Sequence, residues 1–145
     1  MVIVLFGESC TGKSAVAELL KENNGAKVYS GKDYMRLAKS EAEAKKIFSE
    51  RLKSAQGVIV YVTAELEQLA LVPQGAFRVL FTAEIATIKE RFSRRMNGNL
   101  PAPVASMLEK KHGMFDAVPY DFHAVSEAST PEDLYAEIAK ACGLL

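Results

Sequence analysis

The residues best suited to chemistry stand near the start of the chain, in the run Gly7-Glu8-Ser9-Cys10-Thr11-Gly12-Lys13-Ser14. This run matches the pattern G-x-x-x-x-G-K-[ST], in which successive backbone N–H groups point into one concavity and bind phosphate. Gly7 and Gly12 are expected to supply turn geometry and a close backbone approach that a Cβ would prevent. Lys13 is expected to reach the β and γ phosphates, and the Ser14 hydroxyl to ligate Mg²⁺. The whole run therefore predicts a site for a polyphosphate with Mg²⁺ as the implied metal.

The sequence on either side of this loop fits the same interpretation. An apolar strand from Met1 to Phe6 precedes the loop, and an amphipathic helix follows it. Apolar residues of this helix, at 15, 16, 19 and 20, have the spacing that packs one helix face against a sheet. The positive end of the helix dipole would lie at the loop and favour an anion there.

Strand and helix patterns alternate along the rest of the chain. Strands are predicted at 1–6, 26–30, 58–62, 77–81 and 121–125, and helical segments at 32–39, 40–56, 64–70, 83–96, 104–112 and from 130. This alternation predicts a three-layer α/β/α sandwich with a five-stranded parallel sheet. Ser40, Thr82 and Thr130 are predicted to cap the helices that follow them. Ligands of such folds lie beyond the carboxyl ends of the strands, which selects residues 7–14, 30–36, 63–65, 82–84 and 126–129.

Composition limits the number of domains and the kinds of partner. A length of 145 residues at 49% hydrophobic content predicts a single domain over residues 1–145. Lys plus Arg equals Asp plus Glu at 18 each, so we expect neither nucleic acid nor a membrane as a partner. With no apolar run of about 18 residues, the expected location is cytoplasmic. Cys10 and Cys142 make neither a disulfide framework nor a metal site.

The run Ser30-Gly31-Lys32-Asp33-Tyr34-Met35-Arg36 resembles the acceptor-binding segment of P-loop nucleoside monophosphate kinases. In that superfamily a Ser/Thr-Gly-Asp run leads into a helix that bears an Arg three residues after the acid. Lys32 is an insertion relative to that pattern. The resemblance implies that residues 31–56 bind the acceptor and that Arg36 anchors it. Asp33 could orient the acceptor hydroxyl as a base, ligand Mg²⁺ through water or cap the adjacent helix, and Tyr34 could stack on a base.

A second resemblance concerns Ile88-Lys89-Glu90-Arg91-Phe92-Ser93-Arg94-Arg95, which looks like the lid helix of the same superfamily. Arginines of that helix close over the transferring phosphoryl group. Arg91 and Arg95 are four residues apart and share one helix face, with Arg94 beside them. Residues 91–103 are therefore expected to form a short lid that excludes water. The tail from Met107 to Ile138 is similar in arrangement to guanylate-kinase-like proteins.

One expected acid is missing from the strand predicted in the middle of the sheet. The strand ends Val60-Tyr61-Val62-Thr63-Ala64-Glu65, with no Asp at the position of a Walker-B carboxylate. Asp33 or Glu65 could substitute for it, or Ser14 and water molecules could hold the metal, because Mg²⁺ keeps several waters.

Motif and resemblance together predict an ATP-dependent kinase, with Lys13, Asp33, Arg91 and Arg95 as the catalytic residues. The acceptor of the γ phosphate would be a nucleotide or a similar small metabolite. One alternative is a kinase of a nonphosphorylated acceptor, such as a sugar acid or a shikimate-like compound. Another is a nucleotide-binding regulator or slow NTPase without an acceptor, as the missing Walker-B acid would suggest.

Overall fold

The computed structural model describes all residues from Met1 to Leu145 and contains one parallel sheet. Its strands are β1 (Val2–Gly7), β2 (Lys27–Ser30), β3 (Ile59–Thr63), β4 (Phe77–Thr82) and β5 (Phe122–Val125). The strand order is β2-β3-β1-β4-β5, so β1 lies in the middle and the loop that follows it emerges at the centre of the sheet. In register, β1 pairs Val2 with Ile59 of β3 and Ile3 with Phe77 of β4.

Helices connect the strands and cover both faces of the sheet. They are α1 (Lys13–Asn24), α2 (Glu41–Lys53), α3 (Ile85–Arg95), α4 (Ala102–Lys111) and α5 (Pro131–Ala141), with two 3₁₀ helices at Asp33–Leu37 and Leu66–Leu71. The predicted three-layer α/β/α sandwich with a five-stranded parallel sheet is confirmed. None of these helices combines the length and the apolar character that a membrane crossing requires.

Alternate residues of β1 pack into two separate hydrophobic cores. Ile3 and Leu5 pack with residues of α1 and α5, whereas Val4 and Phe6 pack with residues of α2 and the first 3₁₀ helix. Side chains along β1 from Ile3 to Phe6 have no exposed surface. Burial of each such side chain contributes about 1.5 to 3 kcal/mol. Both cores therefore hold the end of β1, and the loop beyond it, in a fixed position.

Several local predictions are confirmed at the helix ends. The Ser40 hydroxyl accepts a hydrogen bond from the Glu43 N–H at 3.2 Å at the start of α2. The Thr130 hydroxyl accepts one from the Asp133 N–H at 3.1 Å at the start of α5. Both caps satisfy an N–H group that has no partner within the helix.

Other boundaries differ from the predictions. Thr82 does not cap α3: its hydroxyl lies 2.7 Å from His123 Nε2, and the helix begins only after Glu84. The α2 helix ends at Lys53 instead of residue 56, and the predicted helix over 64–70 is a 3₁₀ helix.

The predicted lid is more helical than expected. Pro103 belongs to α4, because proline is tolerated in the first turn of a helix, where its missing N–H has no partner to lose. The irregular part of the lid is thus confined to residues 96–101 between α3 and α4. Asn97 and Gly98 turn the chain there with φ angles of 59° and 82°.

Candidate active site

The loop after β1 owes its course to two glycines. Gly7 has φ 152°, and a Cβ on it would lie 2.2 Å from the carbonyl oxygen of Phe81 on the neighbouring β4. Gly12 has φ 94°, and a Cβ there would come within 3.4 Å of Ser126 Oγ. Only glycine fits the close approach at Gly7, and the left-handed backbone at Gly12 strongly favours it. The roles predicted for both residues therefore have an observed geometric basis.

Cys10 anchors the loop to the helices of the predicted lid. Its backbone is left-handed, with φ 63°, and its side chain is buried against Ala83, Ile88 and Leu108. The thiol thus packs against apolar side chains of α3 and α4. A small, uncharged side chain fits this position.

Lys13 is the buried cation of the loop, with 7% of its surface exposed. Its Nζ donates hydrogen bonds to the carbonyl oxygens of Gly7 at 2.8 Å and Glu8 at 2.6 Å, and lies 3.3 Å from Thr11 Oγ1. Burial, together with the positive charge of Arg95, lowers the pKa of Lys13 to about 8. The charge is therefore held among loop oxygens, where a phosphate could replace them.

The Glu8 side chain points to α4 instead of the phosphate concavity. Its Oε1 lies 3.0 Å from His112 Nδ1, and its Oε2 accepts a hydrogen bond from the Gly113 N–H at 3.1 Å. The contribution of Glu8 to the loop is thus its backbone, together with an anchor for the end of α4. Sequence reasoning missed this contact because the partners are 104 residues apart.

One cavity of about 850 Å³ opens at the carboxyl ends of the strands, and it has two walls. The loop wall consists of Ser9, Cys10, Thr11, Gly12, Lys13, Ser14, Ala15, Arg91, Arg95, Ser126, Ser129, Pro131 and Leu134. The β2–β3 wall consists of Ser30, Gly31, Lys32, Val62, Thr63, Ala64, Glu65 and Gln68. The cavity thus joins the loop after β1 to the ends of β2 and β3.

The helix α3 brings Arg91 and Arg95 to the loop wall, as their spacing predicts. Arg91 Nη1 donates hydrogen bonds to the Cys10 carbonyl at 3.0 Å and to Ser126 Oγ at 2.6 Å. Arg94 faces away and pairs with the exposed Glu90 one turn earlier. Ser126 belongs to the residues that follow a strand end, the signal by which the sequence selects it.

Three residues predicted to bind the acceptor lie elsewhere. The Asp33 carboxylate accepts a hydrogen bond from the Ser30 N–H at 2.9 Å and so closes the turn after β2. Tyr34 is 2% exposed and stacks on Phe48 with ring centroids 5.6 Å apart. Arg36 is exposed, and none of the three lines the cavity. The tight 3₁₀ turn that begins at Asp33 directs these side chains away from it.

Other side chains occupy the β2–β3 wall in their place. Thr63 and Gln68 are buried and joined by a hydrogen bond from the Thr63 hydroxyl to Gln68 Oε1. The Tyr61 hydroxyl donates to the Gly31 carbonyl at 2.6 Å and ties the end of β3 to the turn after β2. Burial raises the pKa of Tyr61, which keeps this hydroxyl protonated as a donor. Gln68 carries no sequence signal, because it lies beyond the residues that directly follow a strand.

Glu65 is the one carboxylate that lines the cavity, and its Oε1 lies 3.7 Å from Lys111 Nζ on α4. No group of three or more His, Cys, Asp or Glu side chains is arranged to hold a metal. Ser14 lines the same cavity, so a hydroxyl and a carboxylate are available there. These hard oxygen ligands fit an Mg²⁺ ion that arrives with phosphates and keeps several waters.

Comparison with known proteins identifies relatives of the fold only. No protein-family model and no curated protein matches the chain. A sugar kinase from Janibacter sp. HTCC2649 is similar in structure, with a TM-score of 0.69 and 16% identity over 99% of this chain and 94% of that one. A gluconokinase from Sinorhizobium meliloti 1021 is similar in structure as well, with a TM-score of 0.66 and 16% identity over 98% of this chain and 91% of that one.

A shikimate kinase from Acinetobacter baumannii, solved with shikimate, gives a TM-score of 0.68 and 14% identity over 97% of this chain and 92% of that one. The three similar structures thus share nearly their whole length with this chain while sharing few residues. The comparison confirms the resemblance at the level of the fold: this chain shares the three-layer architecture of these three kinases.

Proposed function

We propose that this protein is an ATP-dependent kinase that transfers the γ phosphate of ATP to a hydroxyl group of a small molecule. The observation that carries the proposal is the continuity of the cavity between the phosphate-binding loop wall and the β2–β3 wall. A nucleotide-binding regulator needs only the first of these walls. A second polar wall that faces the same cavity is what an acceptor requires.

In the proposed reaction the loop and its cations hold the triphosphate. Backbone N–H groups of the loop and the Lys13 ammonium would bind the β and γ phosphates, and Arg91 and Arg95 would stabilise charge on the transferring group. The acceptor hydroxyl oxygen forms a bond to the γ phosphorus as the bond to the β–γ bridging oxygen breaks, and ADP leaves with that electron pair. The hydroxyl proton passes to water, since a loose transition state needs little help from a base.

Ser14 and Glu65 are the residues that would hold Mg²⁺ with the nucleotide. When bound, this ion would neutralise charge on the β and γ phosphate oxygens. The ion pair between Glu65 and Lys111 joins this region to α4, whose end also anchors Glu8. Through these two contacts, the end of α4 is joined to the loop after β1 and to the β2–β3 wall.

The placement of Arg36 favours a nonphosphorylated acceptor over a nucleoside monophosphate. The β2–β3 wall carries no arginine, and its single cation is Lys32. A dianionic phosphate is usually held by several donors, often the planar fork of arginine. Serine, threonine and glutamine side chains suit the hydroxyl groups of a small metabolite instead.

The test is ADP release from Mg-ATP across a panel of nucleoside monophosphates, nucleosides, sugars and small hydroxy acids. We expect one acceptor class to stimulate release in the wild-type protein, and the stimulation to vanish in Lys13→Ala. Lys140→Gln, which changes an exposed lysine of α5, should behave as wild type. ATP binding with no stimulation by any acceptor would refute the kinase proposal and favour the regulator.

A further inference from the structure

The amide group of Gln68, on the β2–β3 wall, is hydrogen-bonded through its oxygen alone. Gln68 is 5% exposed, and its Oε1 accepts the hydrogen bond from Thr63 and lies 3.3 Å from the Tyr61 hydroxyl. Thr63 Oγ1 itself accepts from the Glu65 N–H at 3.1 Å, and its proton faces both Gln68 Oε1 and the more distant Glu65 carbonyl at 3.4 Å. In this arrangement the amide oxygen faces Thr63 and Tyr61, and the NH₂ group faces away from them.

The Gln68 Nε2 donors have no partner within the protein. No side-chain nitrogen or oxygen of the chain is both sealed from solvent and unpartnered, so this nitrogen has accessible surface. Gln68 is also one of the residues that line the cavity. A side chain of the cavity lining thus carries two hydrogen-bond donors that no protein group uses.

Lys32 provides a positive charge on the same wall. It lines the cavity, is exposed and forms none of the ion pairs of the structure. It directly follows Gly31, whose carbonyl is held by Tyr61 at 2.6 Å. Its backbone is therefore fixed to the end of β3, close in the fold to the group that contains Gln68.

We propose that Lys32 and Gln68 are the specificity-determining residues for the acceptor, and that they select a small hydroxylated molecule that bears one carboxylate. The carboxylate binds the Lys32 ammonium, and an oxygen of the same molecule accepts from the Gln68 amide. One lysine matches one negative charge, whereas a phosphate would leave further oxygens without donors. The assignment rests on the proposed kinase function and replaces Asp33 and Arg36, which lie outside the cavity.

The experiment measures binding and turnover separately, so that the two proposals fail differently. Binding of small hydroxy acids, including gluconate and shikimate, is titrated calorimetrically in the presence of Mg-ADP. Each acid is compared with its uncharged methyl ester or amide, and AMP serves as the phosphorylated comparison. Kinetic constants are determined for each compound that supports ADP release.

We expect an acid to bind more tightly than its neutral form and than AMP. Lys32→Gln should raise the Kd and KM for the acid about tenfold to hundredfold, the usual effect of losing a charge-assisted hydrogen bond. The kcat and the KM for ATP should change little, and Lys32→Arg should recover most of the affinity. Gln68→Glu, which keeps an acceptor for Thr63 but removes the donors, should weaken acid binding by a similar factor.

Lys140→Gln is the matched control, because it removes an exposed lysine that does not line the cavity. The assignment is overturned if no acid binds, if neutral forms or AMP bind as tightly, or if Lys32→Gln leaves acid binding unchanged. Acid binding that depends on Lys32 without phosphate transfer would uphold this subsite and refute the kinase. Turnover of neutral acceptors that is unchanged in Lys32→Gln would support the kinase function and refute this subsite.

Discussion

Lys13 shows how burial sets the working range of a single residue. Its pKa is lowered from 10.5 to about 8, chiefly because burial disfavours the charged ammonium. Bound phosphates would favour the ammonium and raise this pKa again, so nucleotide binding should take up a proton above pH 8 or so. Unfolding also restores the ordinary pKa. Between pH 8 and 10.5 the unfolded chain binds more protons at Lys13, and this group makes stability rise with pH.

The first prediction concerns the pH dependence of nucleotide affinity. The Kd for Mg-ATP should stay constant below about pH 8 and increase above it, by at most about tenfold per pH unit, as Lys13 loses its proton. Isothermal titration calorimetry across this range measures the effect. Lys13→Arg is the control, because arginine stays charged throughout and its affinity should not follow the same curve. A wild-type affinity that is independent of pH would contradict the lowered pKa.

The second prediction concerns Gly7, whose Cβ position is occupied by the Phe81 carbonyl at 2.2 Å. Gly7→Ala should lower the free energy of unfolding by about 3 kcal/mol, because β1 and β4 must separate to admit the methyl group. Urea denaturation measures this loss. Gly57→Ala is the matched control, since nothing lies within 4 Å of its Cβ position, and its effect should stay within about 0.5 kcal/mol.

At the scale of elements, α3 places its arginines in different surroundings. One face carries Arg91 and Arg95 to the loop wall, while Arg94 forms an exposed pair with Glu90. Lys89 of α3 pairs with Glu109 of α4, and Glu8 and Glu65 bind residues at the end of α4. Polar contacts therefore join α3 and α4 to each other and to the surroundings of the cavity.

The third prediction compares two arginines on α3. Arg91→Ala should lower kcat/KM for ATP about tenfold to hundredfold, because a charge-assisted hydrogen bond contributes about 1.5 to 3 kcal/mol. Arg94→Ala should change it less than about twofold, since an exposed ion pair contributes little. Steady-state kinetics of the two variants and the wild type measure these changes in kcat/KM for ATP. Equal losses would mean that the helix, and not the orientation of Arg91, matters for activity.

At the scale of the whole molecule, a chain with no net charge assembles a positive cavity. Lys13, Lys32, Arg91 and Arg95 line it together with a single carboxylate, that of Glu65. The loop wall lies beyond the central strand β1. One face of β1 packs in the first core, and the other face packs in the second. A ligand on this loop is thus coupled to the packing of the entire domain.

The fourth prediction follows from that coupling. Mg-ATP at about 100 times its Kd should stabilise the protein by about 2.7 kcal/mol, which corresponds to a rise in Tm of about 5 to 10 °C. Differential scanning calorimetry measures the shift. Mg-ATP should raise the Tm of Lys13→Ala little or not at all, whereas it should raise the Tm of Lys140→Gln as much as that of the wild type. An equal shift in Lys13→Ala would mean that nucleotide binds away from the loop.

The sequence by itself determined the elements and the course of the glycine-containing loop after β1, because both depend on neighbouring residues. Periodicity specified the five strands, Ser40 and Thr130 marked helix starts, and the spacing from Gly7 to Ser14 specified the loop. The shared helix face of Arg91 and Arg95 could be predicted for the same reason.

Only the tertiary structure decided which side chains meet across the cavity. The 3₁₀ turn after β2 removes Asp33, Tyr34 and Arg36 from it, and a second 3₁₀ helix after β3 brings Gln68 to it. The contact between Glu8 and His112 joins residues 104 positions apart. Such pairings depend on the direction of each turn and on the packing of distant segments, which no local spacing specifies.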